Sequence, residues 1–293
     1  DAHRFFAADM HVAARRAVTL ERELRQALAA EQFVVHYQPQ IDLRSDELIG
    51  VEALVRWNHP YRGLVRPGEF IGLAEDIGLI APLTAWVLRS ACRQQRRWQD
   101  GGLDRLQMSV NLSPVQFRER GVELLVERVL AESSLAPGAL DLELTENAVI
   151  ENSQTAIQSL RHLNQLGVSL SIDDFGTGYS SLSYIKRLPV QRLKIDQSFV
   201  QNLEHSLNDE VIVRAIINLG HSLGLRVIAE GVETEGQLQR LRMFGCDEVQ
   251  GNLVSPPVSA EQLEQRLLRP RPVAAPGPTP APARWRARVQ ARG

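Results

Sequence analysis

Between residues 33 and 268 the sequence alternates about eight times between a short apolar segment, typical of a strand, and a longer segment with helical periodicity. Such alternation is typical of parallel strands joined by crossover helices. Eight units in about 250 residues fit a TIM-type (β/α)8 barrel, which is an α/β fold, and the prediction allows for one antiparallel strand. An open doubly wound sheet is the alternative, although no G-x-G-x-x-G follows the first strand.

The segments that carry this prediction are read from apolar periodicity and from glycine and proline punctuation. The predicted strands are residues 33–38, 49–57, 107–112, 140–145, 169–173, 192–196, 226–229 and 247–249. The predicted helices are residues 11–32, 67–77, 79–99, 122–132, 153–166, 182–187, 210–223, 235–244 and 260–268.

Composition excludes several classes of protein. The 33 basic and 35 acidic residues give a net charge of −2, which argues against a nucleic-acid partner. Cys92 and Cys246 lie too far apart in sequence for a CxxC metal site and form no disulfide framework, so a cytoplasmic setting is expected. No apolar run approaches the ~18 residues that a membrane-spanning helix needs.

The two ends of the chain differ from its centre. The first residue is Asp1 rather than Met, and we expect residues 1–18 to be a linker from an upstream domain. From residue 269 to residue 293, proline, alanine and arginine dominate, which predicts a disordered tail. A solvated tail is favoured over one that binds RNA or anionic lipid. Residues 19–268 then form the folded domain.

Polar side chains recur where the predicted strands end. They are Glu52, Asn111, Glu143, Asp173, Asp174, Lys194, Glu230 and Gln250. Burying such groups costs several kcal/mol each unless they are paired or bind a metal. In a barrel, one shared site at the carboxyl ends of the strands explains all of them.

The chemistry of these side chains predicts a metal site. Carboxylates and an amide, without clustered His or Cys, form an all-oxygen set that suits Mg²⁺ or Mn²⁺. The adjacent Asp173 and Asp174 can serve two ions, and two ions roughly 3.5–4 Å apart promote phosphoryl displacement. Ca²⁺, which is larger and less strict in its geometry, is predicted to inhibit.

Two residues near this set allow more than one interpretation. Only two of the 33 basic residues are lysines, Lys186 and Lys194. Lys194 could orient a reacting water or phosphate, or it could neutralise Asp173 or Glu143, and the two roles are compatible. Glu233 could stabilise the loop after Asp174, or it could be an acid at the start of a helix.

These motifs, in this order from about Leu20 to Leu268, resemble the EAL domain family of bacterial cyclic di-GMP phosphodiesterases. The resemblance rests on Glu52-Ala-Leu, Asn111-Leu-Ser-Pro, Glu143-Leu-Thr-Glu, Asp173-Asp-Phe-Gly, Lys194-Ile-Asp and Glu230-Gly-Val-Glu. It implies a TIM-type barrel with two Mg²⁺ or Mn²⁺ ions that hydrolyses cyclic di-GMP to linear pGpG. It also implies a homodimer, and Arg4-Phe5-Phe6 resembles the junction that follows a GGDEF domain.

The resemblance also implies a role for each site residue. Lys194, Glu230 and Glu52 would be catalytic, with Lys194 orienting the attacking water. The implied metal ligands are Glu52, Asn111, Glu143 and Asp173 for one ion, and Asp173, Asp174 and Glu230 for the other. The implied substrate contacts are Gln38, Leu54, Arg56 and Gln250, and Glu233 would stabilise the loop after Asp174.

The sequence departs from the family pattern after the last strand. The family usually has two aromatic residues where this chain has Asn252 and Val254. This change bears on base stacking more than on the metal chemistry. A catalytically silent domain that acts as a cyclic di-GMP receptor or as an interaction module is therefore the alternative function.

Overall fold

Nine strands lie in the part of the chain that the computed structural model describes, which is residues 19–118, 121–146, 154–178 and 185–267. They are β1 (Phe33–Asp42), β2 (Leu48–His59), β3 (Gly63–Val65), β4 (Gln107–Leu112), β5 (Leu140–Thr145), β6 (Ser169–Phe175), β7 (Arg192–Ile195), β8 (Arg226–Ala229) and β9 (Glu248–Gln250). Their order in the sheet is β1-β9-β8-β7-β6-β5-β4-β2-β3, and β1 also pairs with β2. The sheet therefore closes into a barrel of eight strands, with β3 outside it. This confirms the predicted barrel and excludes the open sheet.

One barrel strand, β1, runs antiparallel to both of its neighbours, β2 and β9. The connection between β1 and β2 covers only residues 43–47, whereas a parallel crossover needs a dozen residues or more. The Asp42 side chain supports this turn because its Oδ1 accepts hydrogen bonds of 2.9 Å from the backbone N–H groups of Arg44 and Ser45. The allowance for one antiparallel strand is confirmed.

Helices follow most of the strands. They are α1 (19–29), α2 (Ile71–Asp76), α3 (Ile80–Asp100), α4 (Pro114–Arg118), α5 (Val122–Ser133), α6 (Gln154–Leu166), α7 (Gln197–Gln201), α8 (Leu207–Ser222), α9 (Glu235–Phe244) and α10 (Ala260–Leu267). Two 3-10 turns lie at Pro67–Glu69 and Pro137–Ala139. The periodicity does not predict β3, α4 or α7, because each has five residues or fewer and shows no full period.

Two predicted helices differ from the structure or fall outside its described part. The predicted helix over residues 67–77 is interrupted at Phe70, whose backbone (φ −134°) separates the 3-10 turn from α2. Half of the predicted helix over residues 182–187, namely residues 182–184, lies outside the described residues, as do the predicted linker and tail.

The strand pattern separates apolar from polar side chains. In β5, Leu140, Leu142 and Leu144 join the main hydrophobic core. The residues that alternate with them include Glu143, which lies beside Lys194 of β7 inside the barrel. Because successive side chains of a strand point to opposite faces, this alternation packs the leucines against the helices and directs the acids inward.

A second, smaller core lies at the side of the barrel. Leu24 and Ala27 of α1 pack there with Phe33, Trp57 and Phe70, all of which are buried. Among the described residues, no helix has both the length and the apolar character that crossing a bilayer requires.

Candidate active site

One lysine ammonium and four carboxylates meet inside the barrel. The Nζ of Lys194 lies 2.6 Å from Oε1 of Glu230, 2.8 Å from Oε2 of Glu143, 3.1 Å from Oδ1 of Asp173 and 3.6 Å from Oε2 of Glu52. The Lys194 side chain is only 1% exposed. The acids lie in or directly after four different strands, so the closed sheet brings together residues that are far apart in sequence.

Burial and mutual repulsion perturb the charges in this cluster. Burial raises the pKa of Glu143 well above its ordinary value, and the negative charge of Glu52 adds to that effect. Burial together with the charge of Asp173 has the same effect on the pKa of Glu230. Burial works to lower the pKa of Lys194, but the surrounding carboxylates outweigh it and hold that pKa well above its ordinary value. One ammonium thus cannot balance all of these acids, so the cluster favours further positive charge.

Amide groups hold Glu52 on both of its carboxylate oxygens. Asn111 donates from Nδ2 to Oε1 at 2.6 Å, and Gln250 donates from Nε2 to Oε2. Burial works to raise the pKa of Glu52, but the Lys194 charge and these two amides outweigh it and lower the pKa. These contacts favour the ionised form of Glu52.

The Gln250 amide also connects Glu52 to strand β1. Its Nε2 donates to Oε1 of Gln38 at 2.9 Å, and Gln40 donates to Oε1 of Gln250 at 3.0 Å. The register pairs Gln40 with Gln250 across the β1–β9 contact. Gln40 is not among the site residues predicted from the sequence. Its signal lies in the alternation of Gln38 and Gln40, which places both on one face of β1.

Asp173, Asp174 and Glu230 form the second part of the site. One carboxylate oxygen of each lies within 4.8 Å of those of the other two. Asp174 has a left-handed backbone (φ +54°), which is uncommon for a residue other than glycine, and its N–H donates to Oδ1 of Asp173 at 3.0 Å. Burial and the charges of Asp173 and Asp196 raise the pKa of Asp174 to about 6. Asp196, the N-cap residue of α7, thus acts on Asp174, and it is not among the site residues predicted from the sequence.

The donor chemistry of the cluster fits hard divalent cations. All of the converging side chains apart from Lys194 offer oxygen atoms, and Oε1 of Glu143 is buried without accepting a hydrogen bond from any described residue. Oxygen ligands of this kind are those that Mg²⁺ and Mn²⁺ prefer. Asn111 and the five acids at positions 52, 143, 173, 174 and 230 could hold such cations.

Glu146 holds the loop that follows Asp174. Its Oε2 accepts hydrogen bonds from the backbone N–H of Gly176 at 2.8 Å and of Gly178 at 3.3 Å. Gly176 has a left-handed backbone (φ +101°), which places its N–H toward this carboxylate at a position where glycine is favoured. The loop contact of Glu146 is not predicted from the sequence, although Glu146 is the last residue of the motif Glu143-Leu-Thr-Glu.

The described contacts do not test the loop role predicted for Glu233. Oε1 of Glu233 accepts a hydrogen bond from Nδ2 of Asn252 at 3.1 Å. In the described part of the loop, residues 175–178, the carboxylate that accepts hydrogen bonds is that of Glu146. A contact of Glu233 with residues 179–184 lies outside the described residues, so that role stays a prediction.

A close crossing of two backbone segments positions Gln250 beside Glu230. The N–H of Val232 donates to the carbonyl of Gln250 at 3.1 Å, and the N–H of Leu253 donates to the carbonyl of Val232 at 2.9 Å. Gly251 lies at the crossing, where a Cβ would fall within 3.0 Å of the backbone N, C and O of Val232. Only glycine fits there without a shift of one segment.

A cavity of about 850 Å³ opens beside the cluster. The predicted substrate contacts line it together with two of the acids, and these residues are Gln38, Glu52, Leu54, Arg56, Glu230 and Gln250. The cavity thus has an acidic wall, a cationic side chain and an apolar contact, which suits a ligand that contains both phosphate and a flat apolar group.

The family is settled by comparison with known sequences, since the model of the family described as EAL domain matches residues 21–257. The chain belongs to the EAL domain family. This EAL domain is 47% identical over 259 residues to the bifunctional diguanylate cyclase/cyclic di-GMP phosphodiesterase MucR of Pseudomonas aeruginosa, a match that covers 88% of the chain and 38% of MucR. It is 46% identical over 272 residues to the cyclic di-GMP phosphodiesterase NbdA of the same organism, covering 93% of the chain and 35% of NbdA. The chain therefore spans little more than a third of the length of these relatives.

Solved structures of EAL domains share the barrel. The PaMucR phosphodiesterase in complex with c-di-GMP has a TM-score of 0.82 and 48% identity, covering 84% of this chain and 99% of that one. The EAL enzyme Bd1971, in its cAMP- and cyclic-di-GMP-bound form, has a TM-score of 0.83 and 32% identity, covering 90% of this chain and 73% of that one. The predicted family and fold are thereby confirmed.

Proposed function

We propose that this EAL domain hydrolyses one phosphodiester bond of cyclic di-GMP and releases linear pGpG. The observation that carries the proposal is the convergence of four carboxylates within 3.6 Å of the Lys194 ammonium, beside a cavity that Arg56 also lines. The names of MucR and NbdA and the c-di-GMP in the PaMucR complex support this choice of substrate.

The side chains of the cluster would hold two divalent cations, Mg²⁺ or Mn²⁺. Glu52, Asn111, Glu143 and Asp173 would hold one ion, and Asp173, Asp174 and Glu230 would hold the other. When bound, such ions supply Lewis acidity toward the phosphoryl oxygens and lower the pKa of water.

The remaining chemistry falls to side chains of this chain. Lys194 would donate a hydrogen bond to the attacking water and so orient its lone pair toward phosphorus. Glu230, whose pKa is raised, would accept the proton that the water loses, and Glu52 would help to place the Lys194 ammonium. As the new P–O bond forms, the bond to the 3′-oxygen breaks, and that oxygen takes up a proton, either from the carboxylic acid that received one from the water or from solvent, to become the 3′-hydroxyl of pGpG. Arg56 would meet the negative charge on the phosphoryl group.

The direct test is to incubate the chain with cyclic di-GMP and Mg²⁺ or Mn²⁺ and to look for pGpG by chromatography. We expect pGpG with either ion, none in EDTA, and little with Ca²⁺ as the only divalent cation, because Ca²⁺ accepts longer and less regular coordination. If the chain binds cyclic di-GMP but forms no pGpG with any of these ions, hydrolysis is wrong and the receptor alternative holds.

The receptor alternative has one observation in its favour. Asn252 occupies a position that the family usually fills with an aromatic residue, and its amide is engaged by Glu233 at 3.1 Å. A receptor would bind cyclic di-GMP with the same affinity before and after long incubation with Mg²⁺, and the recovered nucleotide would be unchanged.

Glu146→Ala is expected to lower kcat about 100-fold, because a displacement of a reacting group by about 1 Å can cost that much. The variant removes the acceptor of the Gly176 and Gly178 N–H groups, so the loop no longer holds Asp174 in its left-handed conformation. Steady-state kinetics with saturating Mn²⁺ measures the effect.

Two further variants separate loop positioning from a general loss of a carboxylate. Glu146→Gln keeps one acceptor oxygen and should recover part of the lost kcat. Glu132→Ala removes a carboxylate that pairs with Arg89 at 3.4 Å on the helical surface, and it should leave kcat unchanged. An unchanged kcat in Glu146→Ala would show that the loop does not depend on this carboxylate.

Three expectations about context belong with this function. A cytosolic location is supported by Cys92 and Cys246, which are both buried free thiols. A homodimer is supported by the exposed apolar side chains of Leu207 and Val211, one helical turn apart on α8. An upstream GGDEF (diguanylate cyclase) domain is supported by the name of MucR, a bifunctional diguanylate cyclase and cyclic di-GMP phosphodiesterase. MucR is much longer than this chain.

A further inference from the structure

Two arginines lie close together at the end of the hairpin that β2 forms with β3. The register pairs Trp57 with Val65 and Asn58 with Leu64 in antiparallel fashion. Arg56 precedes Trp57 and Arg66 follows Val65, so the two arginines lie directly beyond the last paired residues of the hairpin, and the charge of Arg66 acts on Arg56. Trp57 is fully buried and Val65 is 3% exposed, so the side chains that alternate with them, those of Arg56 and Arg66, point to the other face of the hairpin.

The backbone of Arg66 is fixed in place. Arg66 precedes Pro67, which restricts it to an extended conformation, and its φ of −84° and ψ of 155° agree with that restriction. Its carbonyl accepts a hydrogen bond from the N–H of Glu69 at 3.1 Å. Arg66 therefore presents its side chain from a rigid position between β3 and the 3-10 turn.

Among the described residues, neither guanidinium group is paired with a carboxylate. Glu52 acts on Arg56 only at longer range, and Arg56 donates from Nη1 to the carbonyl of Val55 at 2.9 Å. By contrast, Arg62 on the same hairpin pairs with Oε2 of Glu69 at 2.8 Å. Burial lowers the pKa of Arg56, Glu52 works against this, and the charge of Arg66 lowers that pKa further. Like charges close to each other repel, and a bound anion would offset that repulsion.

Arg56 and Arg66 both line the 850 Å³ cavity, as do Glu52 and Glu230 of the acidic cluster. A cyclic dinucleotide has two phosphodiester groups, and only one can lie at the acidic cluster during hydrolysis. The other group keeps its negative charge, which an unneutralised acidic wall would repel. Arg66, beside Arg56, offers positive charge for it in the same cavity.

We propose that Arg66 binds the second phosphodiester of the substrate, the one that is not cut, while Arg56 meets the one that is. The proposal rests on the function proposed above and deepens it, since it makes Arg66 a residue that selects cyclic dinucleotides over ligands with a single phosphate.

The test compares Arg66→Ala and Arg66→Lys with the matched control Arg62→Ala. For Arg66→Ala we expect KM for cyclic di-GMP to rise about tenfold with kcat within twofold, because a hydrogen-bonded charge pair contributes that much to binding. The Kd for cyclic di-GMP in Ca²⁺ should rise by a similar factor and depend less on salt than that of the wild type. Arg66→Lys should lie between the two, and Arg62→Ala should match the wild type.

The outcomes separate this proposal from the proposed function. If the wild type forms pGpG but Arg66→Ala keeps KM and Kd within threefold, or Arg62→Ala loses as much, the role of Arg66 is overturned and hydrolysis stands. If the wild type binds cyclic di-GMP without forming pGpG, hydrolysis is overturned while the Kd ratio still decides the role of Arg66. A wild type that does not bind cyclic di-GMP overturns both. The unfolding temperature of Arg66→Ala should not fall, since the substitution removes repulsion between two charges.

Discussion

Lys194→Met is expected to reduce kcat about 10³-fold and, in EDTA, to lower the free energy of unfolding by about 3–5 kcal/mol. Methionine fills nearly the same volume but removes the ammonium. Four carboxylates within 3.6 Å of Nζ then lose their only ion-pair partner among the described residues, in a site where the lysine side chain is 1% exposed. The acids must take up protons or repel one another, and both responses destabilise the folded state.

Divalent cations should separate the loss of stability of Lys194→Met from its loss of turnover. Mn²⁺ supplies positive charge to the same carboxylates, so it should raise the unfolding temperature more for Lys194→Met than for the wild type. It should not restore turnover, because a cation held by the acids does not replace the donor that orients water. Calorimetry with Mn²⁺ and with EDTA, run beside steady-state kinetics, measures both losses.

The matched control is Lys186→Met, which changes the other lysine of the chain. Lys186 is exposed, so neither stability nor kcat should change. If Lys194→Met in saturating Mn²⁺ keeps kcat within tenfold of the wild type, the ammonium only balances charge. The assignment of Lys194 to the chemical step would then be wrong.

The alternation of apolar and helical segments was enough to predict a closed barrel. The direction of β1 depends on where that strand ends, which periodicity does not predict. The strand pattern indicates an end at Gln38 because Pro39 follows. In the structure β1 continues to Asp42, since Gln40, Ile41 and Asp42 pair with β9. That extension shortens the connection to β2 and makes an antiparallel pairing the accessible one.

The site residues likewise fall into two sets: those that the strand pattern predicts, and those whose role only the tertiary contacts show. Glu52, Glu143, Asp173, Lys194 and Glu230 could be predicted to meet because each interrupts an apolar strand pattern, and the structure brings them together. Glu146 lies past the end of β5, where no strand alternation applies, so only the tertiary structure shows that it reaches the Gly176 N–H. Arg66 is similarly an ordinary surface arginine in sequence, and its position beside Arg56 follows from the hairpin register.

Gly251→Ala is expected to lower the free energy of unfolding by about 3 kcal/mol and kcat by about 100-fold. The added Cβ would lie within 3.0 Å of the backbone of Val232, which cannot rotate away as a side chain could. One of the two crossing segments must therefore move. That movement separates Gln250, which donates to Glu52, from the segment that carries Glu230. Urea unfolding and kinetics with cyclic di-GMP measure the two effects.

Gly68→Ala is the control that isolates this crossing from the general effect of replacing a glycine. A Cβ on Gly68 meets no atom within 4 Å, so its stability should stay within about 0.5 kcal/mol of the wild type, and kcat should be unchanged. For Gly251→Ala we expect kcat to fall by more than the fraction of folded protein does, because the substitution displaces Gln250 relative to Glu230. If Gly251→Ala is destabilised but its folded fraction keeps full kcat, the close crossing supports the fold and does not position the site.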